Sequence, residues 1–64
     1  PDRSLYAETV RARILLRLGR PEEAFRVYRG LLALHPGDLD LRNDLAELLI
    51  ERGRYDEAMA LLKR

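Results

Sequence analysis

The chain has 64 residues, no Cys and one His, which admits a single domain and excludes disulfides and Cys-based zinc sites. Its net charge of +1 gives no general attraction to nucleic acid or anionic lipid, and no apolar run reaches the ~18–20 residues of a membrane span. Ala, Leu, Glu, Lys and Arg make up 39 of the 64 residues while Val, Ile and Thr number 5, a composition for an all-α fold with no strand. The first predicted helix covers 3–18, with Asp2 as a candidate cap and Ser4 in its first turn. Gly19-Arg20-Pro21 ends it, because glycine supplies a left-handed exit and proline disfavours helix in the residue before it. A second helix follows over 21–35, where Pro21 suits the first turn and Glu22 and Glu23 face the positive end of the helix dipole. Ala24, Val27, Tyr28, Leu31 and Leu34 form its apolar stripe. After His35-Pro36-Gly37, Asp38 caps a third helix over 38–52, with Leu41, Leu45, Leu48 and Leu49 at helical spacing. Gly53 divides it from a fourth, over 55–63. Connections of two or three residues require consecutive helices to lie antiparallel.

The chain also repeats itself. Shifted by 34 residues, Gly19-Arg20 falls on Gly53-Arg54 and Glu23-Ala24 on Glu57-Ala58. Leu5, Ala12 and Leu15 fall on Leu39, Ala46 and Leu49, giving 7 identities in 26 ungapped positions. Ala12, Ala24, Ala46 and Ala58 are expected where helix backbones approach closely.

A 34-residue helix–turn–helix unit resembles the tetratricopeptide repeat. Gly53-Arg54-Tyr55-Asp56-Glu57-Ala58 is similar to that family's inter-helix turn, and Gly19-Arg20-Pro21-Glu22-Glu23-Ala24 is the same turn with Pro for Tyr. Leu45, Ala46 and Leu49 occupy its Leu-Gly-x-x-Tyr segment, Tyr28 its Phe place and Pro36 its terminal Pro. The family's Trp place holds Glu8 and Arg42, and its following Leu is Arg11 in the first unit. A Glu8–Arg11 pair there implies an edge that meets water. The resemblance implies two stacked helix–turn–helix repeats in one domain over 1–64, the first at 5–38 and a truncated second at 39–64. The chain begins at Pro1 without Met, as a processed or excised piece would, and the cytoplasm is the default compartment.

No catalytic constellation is visible. Ser4 is the only Ser, His35 the only His, and the four Gly are scattered rather than grouped as a phosphate loop. No enzyme activity, cofactor or metal is expected. The acidic row Asp40, Asp44, Glu47, Glu51 reads first as a solvated helical face. The matching row on the first helix is Tyr6, Val10, Arg13, Arg17. The resemblance sets these first helices side by side along a concave groove, so Arg13 is expected to face Glu47, and Arg17 to face Glu51. Residues 2–20 carry a net +3 and residues 38–54 a net −2, so the two helices attract, or the groove is bipolar.

The function implied is a protein-interaction module that binds a peptide or partner segment in the groove. Its expected lining is Tyr6, Thr9, Arg13, Arg17, Asp40, Asn43, Glu47 and Glu51. A subset of the family clamps a C-terminal carboxylate; Thr9, Arg13 and Asp44 stand at the matching places and do not support that clamp. The alternative is self-assembly, or membership of a longer repeat array, through an apolar last-helix face of Tyr55, Met59 and Leu62. The acidic third helix argues against a continuous nucleic-acid track.

Overall fold

Residues 3–63, and the side chains of 5–63, are described by a computed structural model. Four helices follow in order: α1 (Arg3–Arg17), α2 (Pro21–Leu34), α3 (Leu39–Glu51) and α4 (Tyr55–Leu62). Among the described residues there is no strand, and no helix is long and apolar enough to cross a membrane. Asp2, the expected cap of α1, lies outside the described residues.

Every helix ends one residue earlier than the sequence predicts, and α3 starts one later. The cause is capping geometry. Asp38 stands outside α3 in an extended conformation, and its carboxylate accepts the Leu41 N–H at 3.0 Å. At the end of α1, Gly19 takes a φ of +80°. Its N–H donates to the Leu16 carbonyl at 3.1 Å, and the Arg20 N–H to Leu15 at 2.9 Å. The end of α3 repeats this: Gly53 has φ +77°, with Gly53 N–H to Ile50 at 3.0 Å and Arg54 N–H to Leu49 at 2.8 Å. Both are paired 6→1 and 5→2 closures that satisfy carbonyls a helix end leaves free. The connections run over 18–20, 35–38 and 52–54; the first and last have the expected three residues, and the middle one is a residue longer.

The helix backbones approach one another only between neighbours in sequence among the described residues: α1 on α2, α2 on α3, α3 on α4. No described Cα of α1 comes within 8 Å of one in α3. The two middle helices therefore bury the most. α2 contributes Ala24, Phe25, Tyr28 and Leu31, and α3 contributes Leu41, Leu45, Ala46 and Leu49. The outer helices add Ala12 and Ala58. All four alanines named from the sequence are buried, where a larger side chain would force the helices apart. Full burial of a Leu or Phe contributes ~1.5–3 kcal/mol, so the core is concentrated on α2 and α3. The Cα envelope is a slab of 31 × 30 × 14 Å.

An ionic cluster ties the second unit to the first. Arg54 Nη1 donates to Glu22 Oε2 at 2.6 Å, and Arg54 also donates to both oxygens of Glu57. Arg29 Nη2 donates to the same Glu57 at 2.5 Å. The Arg54 guanidinium lies 4.6 Å from the Phe25 ring centroid, within cation–π range. Arg20 holds the matching place in the first unit and pairs with Glu23, at 3.6 Å.

Candidate partner-binding groove

Since α1 and α3 do not touch through their backbones, a cleft runs between them. Three hollows follow one another along it, and Arg13 borders all three. The first, about 390 Å³, lies between the N-terminal halves, with Leu5, Tyr6, Thr9 and Val10 on one wall and Asp38, Asp40, Leu41 and Asp44 on the other. The second, about 120 Å³, is bordered by Tyr28, Asp44, Glu47, Leu48 and Glu51. The third, about 330 Å³, lies toward the C-terminal ends, with Leu16, Arg17, Leu48, Glu51 and Arg52.

Of the expected lining residues, Tyr6, Thr9, Arg13, Arg17, Asp40, Glu47 and Glu51 border these hollows. Asn43 is exposed and borders none of them. Thr9 Oγ1 donates to the Leu5 carbonyl at 2.8 Å, so its proton is turned back onto its own helix. Asp44 and Tyr28 were not in the expected lining. Asp44 stands in the acidic row, and Tyr28 in the apolar stripe of the second helix.

The expected ion-pair register differs from the observed one. Arg13 Nη2 meets Asp44 Oδ2 at 3.4 Å, and neither Arg13–Glu47 nor Arg17–Glu51 forms an ion pair among the described residues. A helical side chain leans toward the N-terminus of its helix, so a long arginine covers the turn before its own Cα. Arg13 thereby meets a carboxylate one turn earlier on α3 than repeat spacing suggests. Side-chain exposures of 62% and 40% limit this pair to ~0–1 kcal/mol.

Tyr28 reaches the second hollow from α2. It is 0% exposed, and its hydroxyl has no hydrogen-bond partner. Burial raises its pKa above the ordinary 10.0, and the facing Arg13 cation opposes that rise without closing a hydrogen bond of ordinary geometry. The adjacent Tyr28 hydroxyl, and then Asp44, hold the Arg13 guanidinium more firmly protonated.

The water-facing edge is also present. Arg11 Nη1 donates to Glu8 Oε1 at 2.7 Å, and both side chains are exposed. At the far edge, Tyr55, Met59 and Leu62 of α4 are 61%, 68% and 50% exposed. Met59 and Leu62 form, with Lys63, an open apolar hollow of about 330 Å³.

Comparison with known families adds the deciding observation: the tetratricopeptide repeat model matches residues 15–64. The chain belongs to the tetratricopeptide repeat family. The match spans the end of α1 and all of α2, α3 and α4. No curated protein and no solved structure matched the chain. Tetratricopeptide repeats are non-catalytic units that generally mediate protein–protein interaction.

Proposed function

We propose that the cleft between α1 and α3 binds an extended or helical segment of a protein partner, with repeats at 5–38 and 39–64 supplying one wall each. The observation that carries this is the continuity of the cleft. Three hollows share Arg13, and apolar and charged groups alternate along them. The first combines Leu5, Val10 and Leu41 with Asp38 and Asp40, which suits an apolar residue flanked by a cation. The third carries Arg17 and Arg52, which suits an acidic residue further along the partner. Selection of a random peptide library on the intact chain tests the reading. Enriched peptides should lose affinity with Tyr6→Ala and Glu47→Lys and keep it with Arg26→Glu, which lies outside the cleft. Peptides indifferent to both cleft substitutions overturn it.

A second reading, self-assembly, is favoured by the exposed stripe of Tyr55, Met59 and Leu62. These residues recur at helical spacing on one side of α4. Head-to-tail stacking onto α1 of another copy is disfavoured, because Arg11 stands there at the place of the buried Leu45. A two-fold contact of α4 with α4 avoids that charge. Light scattering at rising concentration should then give a dimer, and Met59→Asp with Leu62→Asp a monomer. A folded wild-type monomer throughout rejects this reading.

A further inference from the structure

The joint between the two units is repeated, unfilled, at the open edge of the second. A shift of 34 residues carries Phe25 onto Met59, Tyr28 onto Leu62, Pro21 onto Tyr55, Leu5 onto Leu39 and Leu16 onto Ile50. In the first unit these places are covered. Phe25 and Tyr28 are fully buried in one cluster with Leu41, Leu45 and Leu49 of α3, and Leu5 and Leu16 pack against it. In the second unit all five places hold exposed apolar side chains. Asn43, which borders none of the hollows of the cleft, stands at the place of Thr9 on this same edge.

Charge repeats in the same way. Glu22 receives Arg54 of the second unit at 2.6 Å, and Arg29 donates to Glu57 at 2.5 Å. The shift carries Glu22 onto Asp56 and Arg29 onto Lys63, so both signs are kept. Neither Asp56 nor Lys63 has an ion pair among the described residues. The opposite edge of the molecule has lost its half of the pattern. Ala7, Arg11 and Leu15 stand where α3 has Leu41, Leu45 and Leu49. A second copy stacked head to tail therefore does not supply the matching face.

We infer that the edge formed by Leu39, Ile50, Tyr55, Met59 and Leu62 docks a helix–turn–helix hairpin of a partner protein. The hairpin carries apolar residues spaced as Leu41, Leu45 and Leu49 are, then a cation at the spacing of Arg54 and an acid at that of Glu57. Its apolar row covers Met59 and Leu62 as α3 covers Phe25 and Tyr28. Its cation reaches Asp56 across Met59, as Arg54 reaches Glu22 across the Phe25 ring, and its acid meets Lys63. A single amphipathic helix meets the apolar row alone, because in the joint between the units Arg54 comes from the turn and Glu57 from the second helix. Exposed pairs of this kind add little affinity and chiefly select the partner. This docking is independent of the groove-binding reading and competes with two-fold self-assembly for the same surface.

Hairpins selected on the intact chain test the docking. The library has the sequence of 39–64 randomised at 41, 45, 49, 54 and 57, with Met59→Lys and Leu62→Lys blocking its own open edge. Enrichment is expected for apolar residues at 41, 45 and 49, a cation at 54 and an acid at 57. Met59→Asp on the intact chain should weaken the selected hairpins about tenfold or more, and Tyr6→Ala should leave them unchanged. Lys63→Glu on the intact chain should turn the preference at 57 from acid to cation. Tyr6, Met59 and Lys63 are all exposed, so the three variants should fold. No enrichment, or apolar hairpins with no charge preference at 54 and 57, overturns the inference. So does binding indifferent to Met59→Asp, which marks exchange into the joint on α2, or binding lost with Tyr6→Ala, which marks the groove. A wild-type dimer in light scattering that Met59→Asp splits assigns the edge to a second copy and overturns it too.

Discussion

Tyr28 is the large core residue that carries a polar atom, alongside Phe25, Leu45 and Leu49. Its hydroxyl faces the Arg13 guanidinium without a hydrogen bond of ordinary geometry, so removing it should cost little stability. Tyr28→Phe is expected to leave the urea midpoint unchanged or to raise stability by up to ~1 kcal/mol. The alkaline limb should change as well. Burial raises the folded pKa above 10.0, so the unfolded state releases the proton first as pH rises. The stability linked to Tyr28 is therefore complete below pH 10.0 and is lost as pH rises through the folded value. Denaturant melts across that range should fall less steeply for Tyr28→Phe than for the parent. The sequence revealed Tyr28 as a core residue and gave one unused clue: Tyr rather than Phe at a buried position brings a hydroxyl that needs an explanation.

At the scale of elements, Gly30 differs from Gly19 and Gly53. Gly19 and Gly53 sit at φ +80° and +77°, where an L side chain is strained. Gly30 is exposed inside α2, and a Cβ there would meet nothing within 4 Å. Gly30→Ala should therefore stabilise by ~0.5–1 kcal/mol, and Gly53→Ala should destabilise by ~1 kcal/mol. Thermal melts of the two variants should move in opposite directions. Gly19-Arg20-Pro21, His35-Pro36-Gly37 and Gly53 make the four helices legible in the sequence, together with the leucine stripes. The helix ends were off by one residue because cap residues share a helix's hydrogen bonds without its dihedrals. The cross-helix register was less legible. Repeat spacing aligned Arg13 with Glu47, but side-chain lean carries it to Asp44.

For the whole molecule, the cluster around Arg54 joins units that otherwise meet mainly through α2 and α3. Arg54→Ala should lower the thermal midpoint more than Arg20→Ala, whose residue pairs within one unit, with Glu23. The acid limb reports the same cluster. The Arg54 hydrogen bonds, and then Arg29, hold the Glu57 pKa below its ordinary 4.5. The unfolded state then takes up that proton first as pH falls. Stability from Glu57 is present above 4.5 and is lost as pH drops through the folded value. Glu57→Gln should lower stability at neutral pH and flatten the decline below 4.5, as followed by circular dichroism.

The outer position of α1 has a consequence for any ligand in the cleft. α1 is one whole wall of that cleft, yet its fully buried side chain is Ala12 alone among the described residues. Detaching α1 would erase the binding surface, and it would uncover the face of α2 on which Leu5, Leu15 and Leu16 pack. Binding competence is then a local equilibrium, and apparent affinity scales with the fraction of chains in which the wall is seated. Warming should weaken binding well before the global melt. Amide exchange should be fastest in the outer helices, and a bound peptide should slow it selectively in α1, so that the ligand finishes the receptor it occupies.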